Sequence, residues 1–179
     1  MSYWKRIELK NIDIIKEKSL EFLKMHTPYM MKESFKGAFI SLAPYRFLQK
    51  TPEIAESLEE HGLFPEDANI YVMWNNKDSV VHKDYTDSIG RINIPLLNCE
   101  GTYTTFYENV HSRRLVLPTG APFYMTTNKD YIEVDRVEIM QPTIIKVCDG
   151  HNVLMDETKV PRITLTLTCT PDAGLLLDD

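Results

Sequence analysis

Residues of the types that bind transition metals occur at two separate points of the chain. His82 and Asp84 are separated by one residue, and His151 follows Gly150. Side chains along a β-strand alternate between its two faces, so His82 and Asp84 are expected to point the same way. An imidazole and a carboxylate on one face, completed by a second imidazole from a neighbouring strand, form a triad that suits non-haem Fe(II) and leaves coordination positions open. We therefore predict His82, Asp84 and His151 as metal ligands. The alternative is a strand-end histidine beside a solvated aspartate, with His151 in a turn.

A single arginine opens the last β-rich run of the chain. Arg162 precedes residues 163–170, and Thr164 lies two positions further on, hence on the same strand face. A guanidinium group binds a carboxylate through two parallel hydrogen bonds, and it is costly to bury without an anion. An inward-facing Arg162 therefore predicts an anionic ligand. The alternative is a surface ion pair with Asp156 or Glu157, which would contribute little to stability.

The elements that must position these residues are short strands. Eight runs enriched in Ile, Val, Thr, Tyr and Phe, separated by turn residues, indicate strands. They cover residues 68–74, 79–83, 91–97, 102–108, 131–140, 143–148, 151–154 and 163–170. Strands with this spacing predict a double-stranded β-helix, a cupin-like jelly-roll barrel whose two sheets enclose a pocket. The longest interruption, about residues 109–129, is expected to be a loop insertion, with Arg113 and Arg114 as a solvated pair.

The first third of the chain is predicted to be helical. Apolar residues recur at helical spacing over residues 11–25, and a second helix is indicated by Thr51 as N-cap, Pro52 at the first position and Gly62 at the exit. Residues 35–40 suggest a short strand or a turn that leads into one. We predict one domain over residues 1–179, mainly β with N-terminal helices (α+β). In it, residues 1–67 buttress a barrel formed by residues 68–170.

The order of the chemical motifs resembles a known family. His82-Lys83-Asp84, His151 and Arg162, with residues 91–95 and 101–103 between them, are similar to the 2-oxoglutarate and Fe(II)-dependent oxygenases over roughly residues 68–170. The resemblance implies Fe(II) on the two histidines and the aspartate. It also implies 2-oxoglutarate as cosubstrate, with its distal carboxylate on Arg162 and Thr164.

Two further residues are candidates for binding the cosubstrate. Asn93 interrupts an otherwise apolar strand, and a polar residue in a core strand needs a partner. That partner is either the cosubstrate or a backbone group. Tyr103 shares a strand face with Thr105 and Tyr107, and the sequence does not say whether this face or the opposite one lines the pocket.

The resemblance also implies an activity. Such enzymes use dioxygen to convert 2-oxoglutarate to succinate and CO2 while oxidising, usually hydroxylating, a second substrate, here a small molecule or a protein side chain. Two alternatives remain: a non-catalytic jelly-roll module, and a metal-binding cupin enzyme that does not use 2-oxoglutarate. Convergence of His82, Asp84 and His151 would argue against the first, and an outward-facing Arg162 would favour the second.

Composition limits the partners and the compartment. A net charge of −6 and a pI near 5.4 argue against a broad surface for nucleic acid or an anionic membrane. Three cysteines without a C-x-x-C pair indicate a reducing compartment. No window approaches the roughly 18–20 apolar residues that span a bilayer, so we expect a cytoplasmic protein; its oligomeric state stays open.

Overall fold

The computed structural model describes residues 2–26, 39–41, 44–73, 79–84, 88–116, 122–155 and 160–178. These residues contain three α-helices: α1 (Ile12–His26), α2 (Pro44–Lys50) and α3 (Pro52–Glu59). None of the described helices is long and apolar enough to cross a membrane. The strands are β1 (Trp4–Arg6), β2 (Phe39–Ser41), β3 (Phe64–Met73), β4 (His82–Asp84), β5 (Gly90–Leu97), β6 (Thr102–Glu108), β7 (Ser112–Val116), β8 (Pro122–Thr126), β9 (Ile132–Glu138), β10 (Thr143–Lys146), β11 (Gly150–Met155) and β12 (Arg162–Thr170).

The strands form two six-stranded sheets. The major sheet has the order β1-β10-β5-β12-β3-β2 and the minor sheet the order β7-β8-β4-β11-β6-β9. All pairings are antiparallel. Strands β3 to β6 alternate between the two sheets, and so do β9 to β12, whereas β6 and β9 pair within the minor sheet; this is the arrangement of a double-stranded β-helix. The predicted mainly β jelly-roll fold is thereby confirmed.

Two of the three described helices match the sequence patterns that predicted them. Helix α1 differs from the predicted 11–25 by one residue at each end, and α3 begins at Pro52. Gly62 has φ 68°, a left-handed conformation that glycine adopts without a Cβ clash, and this ends the helical segment. Thr51 is buried but makes no capping hydrogen bond through its side chain. Helix α2 was not predicted.

The eight predicted strands are all present, with boundary shifts of a few residues. The predicted loop insertion at 109–129 instead contains β7 and β8, which form a hairpin that pairs with β4 and so extends the minor sheet. Of the predicted strand 35–40, only residues 39 and 40 are described. Residue 74 of the first barrel strand lies outside the described residues, and so do Asp156 and Glu157.

Two apolar clusters hold these layers together. The larger lies between the helices and the major sheet, where Ile92, Ile94, Ile163, Leu165 and Leu167 of the sheet are fully buried. Burial of each such side chain stabilises the fold by about 1.5–3 kcal/mol. The smaller cluster joins the two sheets and consists of Phe106, Val137, Ile139, Ile145 and Val147. Because side chains alternate, the odd-numbered residues of β12 face the helices, and Arg162, Thr164 and Thr166 face the space between the sheets.

One carboxylate fixes the start of β5. Asp172 accepts backbone N–H bonds from Ile89 at 2.7 Å, Gly90 at 3.0 Å and Gly174 at 2.6 Å. Burial raises the pKa of Asp172, but hydrogen bonds from Ser88 and these backbone groups outweigh it, and the net shift is downward. A Cβ at Gly90 would lie 2.6 Å from the Gly174 Cα, so the two backbones approach closely only because both residues are glycine.

Candidate metal centre

The three predicted ligands converge in the structure. His82 and Asp84 lie on β4, and His151 lies directly opposite His82 on the neighbouring strand β11. Their ligand atoms all lie within 4.8 Å of one another. His82 Nε2 is 3.6 Å from Asp84 Oδ1, and the two imidazole ring centroids are 4.5 Å apart. Alternation along β4 places Lys83 on the opposite face. His82 and His151, 69 positions apart along the chain, therefore belong to one cluster because β4 and β11 pair.

Backbone carbonyls orient both imidazoles. His82 Nδ1 lies 2.8 Å from the Val80 carbonyl oxygen, and His151 Nδ1 lies 3.0 Å from the Asp149 carbonyl oxygen. A carbonyl oxygen only accepts, so in each ring Nδ1 carries the proton and donates, which leaves the Nε2 lone pair for a metal. The donor set of two Nε2 atoms and one carboxylate oxygen matches that of a non-haem Fe(II) site.

The protonation state of His82 is compatible with metal binding. Burial lowers its pKa, and repulsion by His151 lowers it further, whereas Asp84 raises it; the net pKa is about 4. The imidazole is therefore neutral near pH 7, which is the form that binds metals.

Asp84 has a second partner that the sequence did not predict. Arg91, the second residue of β5, places its guanidinium Nη1 3.0 Å from Asp84 Oδ2. The pair links a strand of the major sheet to a strand of the minor sheet. Its two side chains are only 14% and 19% exposed. Tyr71 on β3 also hydrogen bonds to Arg91. The sequence contained a signal for this position. Arg91 is next to the apolar Ile92, and side chains alternate along a strand, so Arg91 faces the barrel interior when Ile92 faces the helices.

Arg162 faces inward and is 3% exposed. Its Nε donates to Thr102 Oγ1 at 3.0 Å, and Nη1 lies 3.8 Å from the Met73 sulfur. Burial lowers the pKa of Arg162, an effect that nearby Cys99 partly opposes. Among the described residues, no carboxylate lies within ion-pair distance of it. A buried guanidinium without an anion is costly, so its surroundings fit a ligand carboxylate.

The other predicted cosubstrate contacts have different outcomes. Thr164 is buried on the same face of β12 as Arg162. The partner of Asn93 is a protein side chain: Thr166, directly opposite on β12, donates its hydroxyl to Asn93 Oδ1 at 2.7 Å. The cosubstrate or a backbone group was the partner predicted for Asn93 from the sequence.

Tyr103 lies on the wrong face of β6 for the predicted contact. Thr102, which touches Arg162, and Phe106, which pairs with His151, mark the interior face of this strand. Tyr103 alternates with them and instead has the Arg136 guanidinium 6.0 Å from its ring centroid. Thr104 lies on the interior face of β6 between Thr102 and Phe106. Its hydroxyl is buried without a hydrogen-bond partner in the described part of the chain.

The β7–β8 hairpin extends the metal-bearing face of the minor sheet. The register aligns Arg113 with Met125 and Met125 with His82, and directly opposed residues share a face. Arg114 is aligned with Tyr124 and Lys83 on the other face. Both arginines are exposed, as predicted, but only Arg113 shares the face that bears the metal ligands.

A cavity of about 510 Å³ lies on the outer face of the minor sheet. Its lining includes Ser79, Tyr107, Tyr131 and Asn152. Tyr107 donates to Asn152 Oδ1 at 3.1 Å, and Asn152 alternates with His151 along β11. The cavity therefore opens away from the metal ligands, and its lining includes none of them.

Comparison with known proteins supports the fold alone. No protein-family model and no curated protein matches the sequence. Among solved structures, AviO1 from Streptomyces viridochromogenes Tue57 superposes with a TM-score of 0.50 at 11% identity, covering 93% of this chain and 88% of that chain. A Pseudomonas putida prolyl-4-hydroxylase gives 0.45 at 12% identity, covering 93% and 91%. An L-ribose isomerase from Cellulomonas parahominis gives 0.36 at 12% identity, covering 90% and 84%. The last two scores are too low to carry an argument, so function has to be inferred from the site.

Proposed function

We propose that the protein is a 2-oxoglutarate and Fe(II)-dependent dioxygenase. It oxidises a small-molecule or protein side-chain substrate, and the oxidation that we propose is hydroxylation. The observation that carries the proposal is the combination of two sites in one barrel interior. His82, Asp84 and His151 converge within 4.8 Å, and the buried Arg162 faces the same interior without a carboxylate among the described residues.

Each residue has a defined role in this proposal. Bound together, Fe(II) and 2-oxoglutarate would supply the oxidising chemistry with dioxygen, forming succinate and CO2. The two Nε2 atoms and Asp84 would hold the metal, and the carbonyls of Val80 and Asp149 hold the rings in the required orientation. Arg162, supported by Thr102, would bind the distal carboxylate, with Thr164 beside it. Burial of Arg162 excludes water and so strengthens this ion pair.

The same observations weigh against the alternatives. A non-catalytic jelly roll has no need of two imidazoles and a carboxylate whose ligand atoms lie within 4.8 Å of one another. A metal cupin without 2-oxoglutarate has no need of a buried guanidinium, which costs stability when no anion is bound. The carboxylate ligand Asp84 also argues for hydroxylation over halogenation, since the family's halogenases usually have a small residue in this place.

The prime substrate is defined only by class. The net charge of −6 argues against nucleic acid, which is recognised largely through phosphate contacts with basic side chains. A small metabolite or a protein side chain is consistent with an acidic protein. The β7–β8 hairpin continues the metal-bearing face and is the surface that we propose for substrate binding.

An anaerobic titration with Fe(II) and 2-oxoglutarate tests the proposal. The chelate has a visible charge-transfer band, which we expect to saturate at about one equivalent. Asp84→Ala should abolish the band, whereas Lys83→Ala, which changes the neighbouring residue on the opposite face of β4, should leave it intact. Iron binding without a band would favour the metal cupin. Absence of iron binding would favour the non-catalytic module.

A further inference from the structure

We propose that Arg91 is a positioning residue that holds one oxygen of Asp84, so that Asp84 binds the metal through its other oxygen alone. This inference rests on the proposed metal site. It is carried by the different partners of the two carboxylate oxygens. Oδ1 lies 3.6 Å from His82 Nε2, on the side of the other two ligands, and Oδ2 lies 3.0 Å from Arg91 Nη1.

Arg91 is itself held in place on both sides. Its neighbour Ile92 is fully buried against the helices, which fixes this end of β5. Asp172 anchors the preceding backbone by accepting the N–H groups of Ile89 and Gly90. Tyr71 hydrogen bonds to the guanidinium. The orientation of Arg91 is therefore set by the fold before any metal binds.

The partial burial of the pair makes it stronger than a surface ion pair. Charge-assisted hydrogen bonds are about twice as strong as neutral ones, and screening by water is reduced when both side chains are largely covered. Arg91 Nη1 contacts Oδ2, and Oδ1 lies on the side of His82 Nε2. Asp84 therefore presents one oxygen to the metal, whereas an unrestrained carboxylate can present two.

The number of oxygens that Asp84 presents has a functional consequence. Three protein donor atoms leave three positions in an octahedral site, and a 2-oxo acid needs two of them. If Oδ2 also turned to the metal, it would occupy one of those positions. We therefore expect loss of Arg91 to weaken cosubstrate binding more than metal binding. A positive charge beside the carboxylate also reduces its donor strength, so Arg91→Gln should bind the metal at least as tightly as the wild type.

Arg91→Gln and Arg91→Lys test the inference through binding and spectra rather than turnover. We expect Arg91→Gln to raise the Kd for 2-oxoglutarate about 10- to 100-fold, the usual range for residues that orient metal ligands, with the Kd for Fe(II) unchanged or lower. Arg91→Lys keeps a charged donor and should restore part of the affinity. Tyr71→Phe, which removes the hydroxyl that hydrogen bonds to Arg91, should give a smaller change in the same direction. Arg114→Gln, at an exposed arginine on the opposite face of the hairpin from the metal ligands, is the matched control and should leave both constants unchanged.

Replacement of Fe(II) by Co(II) gives a second readout that needs no cosubstrate. The visible spectrum of Co(II) reports its coordination number and geometry, and we expect it to differ between Arg91→Gln and the wild type. If the wild type bound Co(II) but formed no 2-oxoglutarate chelate, the proposed function would fail while the Co(II) comparison still tested Arg91. Identical Co(II) spectra with unchanged 2-oxoglutarate affinity would overturn the inference. So would equal loss of metal and cosubstrate binding without recovery in Arg91→Lys. If Arg91→Gln did not fold, a Tyr71→Phe protein with wild-type constants would count against the inference.

Discussion

Arg162 Nε donates a hydrogen bond to Thr102 Oγ1 across 3.0 Å, and this contact connects β12 of the major sheet with β6 of the minor sheet. The hydroxyl of Thr102 is in turn committed, because it donates to the Cys99 carbonyl oxygen at 2.7 Å. The orientation of the guanidinium is thus set by a chain of hydrogen bonds before any ligand binds.

Replacement of Arg162 should separate stability from cosubstrate binding. Arg162→Met keeps the length and removes a buried charge that has no carboxylate partner among the described residues, so we expect the ligand-free protein to be about 1–3 kcal/mol more stable. The same variant should lose 2-oxoglutarate affinity by a factor of at least about 30, because removal of one partner of a buried charge pair costs 2 kcal/mol or more. Urea unfolding and the anaerobic titration measure the two effects. A variant that is less stable and loses iron as well would instead indicate collapse of the barrel.

Thr102 should act through Arg162. Thr102→Val conserves the side-chain shape but leaves the Arg162 Nε donor without its acceptor, which should cost about 1–3 kcal/mol of unfolding free energy. In Arg162→Met that donor is already absent, so the cost of Thr102→Val should fall there to the loss of the bond to Cys99. A double-mutant cycle in urea measures the difference. Additive effects of the two substitutions would show that the hydrogen bond does not couple them.

Metal binding should stabilise the fold by mass action. A metal that binds only the folded state adds about 2.7 kcal/mol at a free concentration 100 times its Kd, so Fe(II) under anaerobic conditions should raise the Tm. His151→Ala removes a ligand supplied by a different strand from His82 and should abolish the shift. His61→Ala is the matched control, because the His61 ring lies against the Glu8 carbonyl oxygen, away from the ligand cluster. An equal shift in His151→Ala and the wild type would place the metal elsewhere.

The strands and the ligand spacing could be predicted because both depend on local alternation. His82 and Asp84 share a face whatever the rest of the chain does, and β-branched runs mark the eight barrel strands. The orientation of β6 could not be predicted, because Thr104 and Thr105, on its opposite faces, are both buried. Burial on both faces removes the contrast between polar and apolar sides, so Tyr103 could be assigned to neither.

Contacts between residues of different sheets also could not be predicted from the sequence. Arg91 meets Asp84 only because β4 and β5 belong to different sheets that stack, and no local spacing encodes that approach. The hairpin was missed for a composition reason: β7 reads Ser112-Arg113-Arg114-Leu115-Val116, which lacks regular apolar alternation. Strand β7 forms because it pairs with β8, which in turn pairs with β4, and not because of a strand pattern in its own sequence.

The Asp172 clamp predicts a stability change that depends on pH. The folded-state pKa of Asp172 lies below its ordinary value, so the folded protein binds fewer protons there than the unfolded chain does. The stabilisation of the fold by the Asp172 carboxylate is therefore complete above the unfolded pKa of about 3.9 and is lost as pH falls through the folded-state pKa.

Asp172→Asn should lose about 2 kcal/mol of unfolding free energy at pH 7, because an amide has one acceptor oxygen for three backbone N–H groups. Urea unfolding from pH 7 to pH 3 should show a smaller stability gap between wild type and Asp172→Asn at the acidic end. Asp130→Asn is a control. The pKa of the Asp130 carboxylate is also lowered, but this carboxylate lies on the exposed turn beside Asn128. A gap between wild type and Asp172→Asn that stayed constant down to pH 3 would mean that the charge of Asp172 contributes nothing to the clamp.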